Sequence, residues 1–278
     1  MSQKCQSILL GARGRVLGHV ASVSHDFSDG DVIAQHFHPE HQLVFASTGV
    51  MTVHTKQGAW VVPPQRAVWI PAKTPHRIAM SGLVSMRTLY FLPKLRPGLP
   101  AACLVMTVSP LLRELILHAC RFARLSRTVP AQRRIIDIML DHFETVPSVP
   151  LQLPQPSDER AVRVAKAVSA NPGDRRTLET LCRECGASKR TVERIFLLET
   201  KMTFAKWRQQ HRLLHSMQRL ASGDKVAAAA LDAGYTSPSA FVAMFRKQLG
   251  TTPRRYFAPK PESPRREEER QPDQESGQ

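Results

Sequence analysis

Between residues 30 and 92, apolar and β-branched residues come in short runs separated by Gly and Pro. The runs are Asp31 to Phe37, Gln42 to Phe45, Val50 to His54, Ala59 to Val62, Val68 to Ile70 and Met86 to Phe91. Short runs this closely spaced predict the strands of a sandwich or barrel. The period then changes. Ser109-Pro110 pairs a cap residue with a proline suited to a first helical turn, and the following LLRELILHACRFARL repeats its apolar positions helically, as does Ala131 to Phe143. From Val146 to Ser157 the sequence VPSVPLQLPQPS holds four prolines, which remove N–H donors and disfavour helix just before themselves. That stretch predicts a domain boundary. Beyond it the pattern is helical throughout: Asp158 to Ala170, Leu178 to Cys185, Lys189 to Glu199, Phe204 to Ala221, Val226 to Ala233, Pro238 to Leu249 and Pro253 to Phe257. The expected organisation is an all-β domain over 1–108, a helical packing or dimerisation segment over 109–146, a linker over 147–157, an all-α domain over 158–258 and a disordered tail over 259–278.

Two stretches of the helical part share one design. Leu178 to Cys185, Gly186, Ser188 and Lys189 to Phe196 form the first; Val226 to Ala233, Gly234, Ser237 and Pro238 to Arg246 form the second. In each, a glycine suited to positive φ ends one helix and a serine caps the next, while Val192, Ile195, Phe196, Phe241 and Phe245 supply a shared core. A duplicated unit of this kind predicts two helix-turn-helix motifs, about 178–199 and 226–249. Cys182 and Cys185 have Cys-x-x-Cys spacing, but no further pair of ligands lies nearby, so both read as small packing residues.

Composition narrows the partners. Lys and Arg number 39 against 23 acids in 278 residues, net +16, which points to a polyanion. Residues 158–258 alone carry 19 basic and 9 acidic side chains. With 42% apolar and 22% charged residues the chain is of ordinary globular composition. No run approaches the roughly 18–20 apolar residues of a membrane span, and five cysteines make no disulfide framework. A cytoplasmic protein without a membrane partner is the expectation.

The helical part resembles the DNA-binding domain of the AraC/XylS family of bacterial transcription regulators. The resemblance rests on Gly234-Tyr235, Ser237, Ser239, Phe241, Phe245-Arg246, Leu249-Gly250 and Thr252-Pro253, with support from Leu178, Leu181, Ser188, Arg194, Phe196, Trp207, Arg212-Leu213 and Leu220. Lys201 stands where glycine is usual. The resemblance implies two motifs joined by the long helix Phe204 to Ala221, placing two recognition helices on major grooves ~34 Å apart. It assigns Lys189, Arg190, Glu193 and Arg194, and Ser237, Ser239, Val242 and Ala243, to the base-facing surface of promoter DNA. Arg190 and Arg194 suit guanine, Glu193 a cytosine amine, and the second helix thymine methyls. Phosphate contacts are expected from Lys206, Arg208, Arg246, Lys247, Arg254 and Arg255.

The N-terminal part, Asp26 to Pro93, resembles a cupin barrel, the sensor domain of many such regulators. Its first motif is Gly30, five residues, His36-x-His38, three residues, Gln42, six residues, Gly49; the second is Gly58, Pro64 and Pro71-x-Lys73-x-x-His76. By position the resemblance assigns the metal-binding set to His36, His38 and His76, with Gln42 replacing a carboxylate. Three imidazoles suit Zn, Ni, Cu or Fe, whereas a neutral Gln is a weak ligand. The same residues also suit a metal-free pocket for an organic effector. His19, His25, His41 and His54 read as surface or satisfied residues, and Trp60 and Trp69 as core.

These features describe an effector-responsive, DNA-binding regulator with no catalytic residues, able to pair as a homodimer. The resemblance favours an activator, which would contact RNA polymerase, over a repressor. Two alternatives stand beside it: a metal-dependent cupin enzyme with a helical assembly domain, and a constitutive dimeric DNA-binding protein without an effector.

Overall fold

A computed structural model describes residues 3–4, 17–143 and 151–258. The tail from 259 lies outside the described residues. Two six-stranded sheets face each other. In sheet order the first comprises β1 (Gln3–Lys4), β3 (Val32–Phe37), β8 (His76–Ser81), β5 (Val50–Thr55), β6 (Gly58–Val62) and β12 (Gln152–Pro154). The second comprises β10 (Leu104–Thr107), β7 (Arg66–Ile70), β4 (His41–Ala46), β9 (Val84–Phe91), β2 (Val20–Phe27) and β11 (Arg124–Leu125). Except for the parallel β1–β3 pair, the pairings are antiparallel.

The alternation of side chains along a strand explains the layers. Met51, Val53, Trp60, Val62, Ile78 and Met80 of the first sheet meet Val44, Val68, Ile70, Val84 and Met86 of the second inside the barrel. On β4 and β9 the opposite faces, Leu43, Phe45, Leu89 and Phe91, pack with Trp69 under α1 (Pro110–Ala119) and α2 (Pro130–Asp141). The outer face of the first sheet carries Val50 and Val61, and these join the core of the helical domain. Strands buried on both faces lose the polar alternation that marks a half-buried strand. Trp60 and Trp69 are both core, as expected, and Trp69 Nε1 donates to the Pro100 carbonyl at 2.9 Å.

The helical domain comprises α3 (Glu159–Ala170), α4 (Leu178–Glu184), α5 (Lys189–Ile195), α6 (Phe204–Ala221), α7 (Val226–Asp232), α8 (Pro238–Leu249) and α9 (Pro253–Tyr256). The helical pattern read through Leu125 ends at Ala119, and Arg124–Leu125 instead pairs with β2 as β11. Three further findings differ from the sequence reading. First, β2, β8 and β10 escaped the strand runs read between residues 30 and 92, though all three fall inside the expected 1–108, and β11 and β12 join the sheets from beyond it; β2 exposes Val23 to Asp26 and shows no alternation. Second, the helix expected over Lys189 to Glu199 changes at Phe196 to a π-helical turn, Phe196–Thr200, closed by Lys201 at φ +59°. Left-handed backbone at a lysine explains why glycine is common there, and Lys201 Nζ donates to the Leu198 carbonyl at 2.8 Å. Third, the described end of the proline-rich linker is no free tether. Leu151 accepts from Val61 N at 2.8 Å, β12 extends the first sheet as an edge strand, where proline is tolerated, and the Pro154 carbonyl accepts from Trp207 Nε1 at 2.7 Å.

Leu151 and Leu153 lie in one apolar cluster with Trp207, Val164 and Leu214. A fragment beginning at Leu151 should therefore unfold at higher urea than one beginning at Ser157, which loses both leucines; equal midpoints would show that the linker leucines add nothing to the helical core.

Two histidines lie between the sheet and α6. Burial holds His54 and His211 down to about 4, with nearby Arg77 adding to the shift at His54. Both are neutral in the folded chain, while the unfolded chain takes up protons near pH 6.5. Stability from these groups is present above pH 6.5 and is lost as pH falls toward 4. The urea midpoint should drop across that window, and His54→Asn with His211→Gln should flatten the drop.

Candidate functional site

The two helix-turn-helix units close in the same way. Gly186 and Gly234 have φ of +65° and +80°. After α4, Ala187 N donates to the Cys182 carbonyl at 2.9 Å; after α7, Tyr235 N donates to the Ala230 carbonyl at 3.0 Å. These six-to-one bonds satisfy helix-end carbonyls that only a left-handed residue exposes correctly. Ser188 then accepts from Thr191 N and Ser237 from Ala240 N, each at 3.2 Å, capping α5 and α8. Cys182 is buried and Cys185 partly buried, both free thiols, as expected for packing residues.

On α5, Lys189, Arg190, Glu193 and Arg194 are exposed while Val192 and Ile195 face inward. The four expected base-facing residues thus share the outer surface of one short helix. On α8, Ser239 and Ala243 are exposed, Val242 and Ser237 partly so, and Phe241 and Phe245 are buried. Val242, Ala243, Arg246 and Lys247 line a concave patch with Pro238, Ser239 and Thr252. Lys206, Arg254 and Arg255 are exposed.

Arg208 is placed differently. Its guanidinium donates to the Arg176 carbonyl at 2.7 Å and to the Asp174 carbonyl, and it lies 3.8 Å from the Asp174 carboxylate. Arg212 donates to the carbonyls of Asp174, at 2.6 Å, and Pro172, at 3.2 Å. Hydrogen bonds from Arg176, with the Arg208 charge assisting, hold the buried Asp174 carboxyl below its ordinary range. Two arginines of α6 therefore fix the α3–α4 loop, which at Gly173 packs against Gly234. Asp174 and Arg212 in this role were not signalled by the sequence, where a charge shows but its direction does not.

The barrel brings the second set together. His36 and His76 are opposite one another on β3 and β8, and a ring nitrogen of each of His36, His38 and His76 lies within 4.8 Å of the others. Each Nδ1 is tied at 2.8 Å to a backbone carbonyl, that of Ala34, Glu40 and Thr74 respectively. Such bonds fix the ring orientation and leave Nε2 as the available lone pair. Burial, the largest cause, lowers the pKa of His38, and that of His76 to about 4, which keeps both neutral. His76 Nε2 is buried with no partner. Gln42 is buried beside them; its amide nitrogen donates to Thr88 Oγ1 at 3.0 Å and Tyr90 OH at 3.1 Å, so its Oε1 faces His38 Nε2 at 3.0 Å. At that separation His38 Nε2 and Gln42 Oε1 share a proton or are neighbouring ligands of one cation. An orphaned lone pair and paired acceptors fit a transition metal ion. Thr88 and Tyr90, which orient Gln42, were missed in the sequence; their alternation on β9 is the signal that would have found them.

Fold and sites together define a DNA-binding regulator with a ligand-binding barrel. Residues 181–258 match the helix-turn-helix domain family and residues 22–148 the AraC-like ligand binding domain family. The chain is 33% identical over 239 residues to the HTH-type transcriptional regulator NimR of Escherichia coli K12, covering 86% of this chain and 87% of that one. It is 32% identical over 117 residues to the HTH-type transcriptional regulator RipA of Corynebacterium glutamicum, covering 42% of this chain and 34% of that one. The DNA-binding domain of AdpA, solved with a target DNA, is 31% identical across 37% of this chain and 92% of that one, with a TM-score of 0.34. The chain belongs to the AraC family of transcriptional regulators. No helix among the described residues is long and apolar enough to cross a membrane.

Three substitutions separate the roles. Arg194→Ala should cost ~1–3 kcal/mol at one position of a selected duplex and relax base preference there. Lys247→Ala should weaken all duplexes alike and reduce the salt slope by about one. Arg208→Ala should instead lower unfolding stability by about 2 kcal/mol, through lost charge-assisted bonds, a loss that denaturant titration without DNA would detect.

Proposed function

We propose that this protein is an effector-responsive transcription regulator, not an enzyme, whose barrel binds a transition metal ion at His36, His38 and His76. The convergence of three oriented imidazoles is the observation that carries the reading. Zn, Ni, Cu or Fe would suit the donors, with Gln42 Oε1 beside His38 as a weaker ligand. The ion would serve as the effector or supply a Lewis-acidic anchor for a small-molecule effector. The chain's own residues orient the imidazoles, exclude solvent from His38 and His76, and keep both neutral. An organic effector alone is the second reading, favoured by the Thr88 and Tyr90 hydroxyls beside the cluster.

Promoter DNA is the partner of the helical domain, through the exposed faces of α5 and α8. The duplicated motif has no role in an enzyme with a helical assembly domain. Leu111 and Ile138, exposed on α1 and α2, support pairing of two chains. Activation through RNA polymerase rests on the family resemblance.

The full chain, purified without chelator, should carry roughly one transition metal ion, since convergent imidazoles bind such ions tightly. His38→Ala should lose it and still bind DNA. A metal-free wild type that takes up neither Ni nor Zn on titration would overturn the metal version and leave the organic pocket.

A further inference from the structure

The strands that carry the histidines also reach the helical domain. His76 opens β8, and six residues further on, roughly 20 Å along an extended chain, the turn at Gly82 meets the end of α6. A Cβ built on Gly82 would lie 2.0 Å from the Ala221 carbonyl oxygen, so only glycine permits the approach. β3 makes the parallel connection. His36 lies near its end, and before its start Asp29 Oδ1 accepts from Gly82 N at 2.6 Å and from Ser222 Oγ, just after α6, at 2.8 Å. One carboxylate oxygen thus joins barrel and α6.

The connection continues into the second recognition unit. Arg219 pairs with Asp224 at 2.6 Å and with Asp232 at 3.6 Å, and His215 Nε2 lies 2.6 Å from Asp232, which ends α7. A second bond crosses beside it, Gln218 Nε2 donating to Thr52 Oγ1 at 2.8 Å. β3 and β8 are not a uniform ladder: Val32 and Ile33 pair with Ala79 and Ile78, but the register shifts before His36 meets His76. A bulge is the place where a strand pair takes up one residue of slack. Asp29 is exposed and its bond from Ser222 Oγ is at the surface, so that bond is of modest energy, which suits a contact that forms and breaks.

We propose that Asp29 is a positioning residue that couples the histidine cluster to the second helix-turn-helix unit. Drawing the three imidazoles together shifts β3 against β8 at the bulge. That shift moves Asp29 relative to Gly82 and alters its hold on Ser222, changing the position of α6 and hence of α7 and α8. The two-state element is the Asp29 contact, made or broken, and both sites bias it. The inference rests on the effector-site reading of the histidines.

The test uses the full chain, Ni²⁺ as the probe and a duplex selected by the wild type from a random pool. In the wild type, Ni²⁺ should change the duplex Kd by fivefold or more, the usual lower range of allosteric coupling. Asp29→Ala should still take up one Ni²⁺ per chain, but its Kd values with and without metal should agree within twofold. Asp29→Asn keeps the acceptor oxygen and should restore the response, which a loss of folding would not. Coupling is reciprocal, so duplex alone should change amide exchange across 76–82 in the wild type and not in Asp29→Ala. This arm needs no metal. If it succeeds while Ni²⁺ does not bind, the histidine reading fails and the coupling stands. An Asp29→Ala chain with the wild-type exchange change, or with the wild-type response to Ni²⁺, overturns the coupling.

Discussion

The outer face of the first sheet cannot face water. Val50 and Val61 project from it, β12 adds Leu153, and α3 and α6 cover all three in a single apolar cluster. Burying such side chains is worth about 1.5–3 kcal/mol each, which places the barrel and the helical domain in one cooperative unit instead of on a flexible tether. Everything else follows from that packing. It fixes the barrel against the helix that carries both recognition units, and it brings the β8–β9 turn against the end of that helix, where Asp29 bonds both.

The two sites are built on opposite physical terms. In the barrel, burial keeps His38 and His76 neutral, and backbone carbonyls aim all three imidazoles. On α5 the charged side chains are exposed, and on the proposed reading they would gain their value from a polyanion arriving from outside. Two arginines of α6 belong to neither class. Arg208 and Arg212 direct their charge onto backbone carbonyls of the α3–α4 loop, where they act as internal braces.

Much of this was legible from residues alone. The Gly186 and Gly234 turns and the Ser188 and Ser237 caps announce their geometry because few residue types satisfy positive φ or an orphan N–H. His36, His38 and His76 were legible as a set through the resemblance to a cupin barrel. What stayed hidden was relational. Val50 to Val53 reads as a plain apolar run because the strand is covered on both sides, and Leu151 and Leu153 were concealed by prolines that an edge strand accommodates. The roles of Arg208, Asp174 and Asp29 depend on partners tens to nearly two hundred positions away, which no local pattern encodes.

The two recognition helices begin from nearly the same turn and cap, yet α5 offers lysine, arginine and glutamate outward while α8 offers serine, alanine and valine ahead of its two basic residues. One arm is charged and the other close to smooth. On the proposed reading, turning a duplex end over end would exchange the surfaces they meet, so a single chain would have a head and a tail on DNA. That seating would carry an arrow, and with it a sense of upstream and downstream that a symmetric reader acquires only from a second protein.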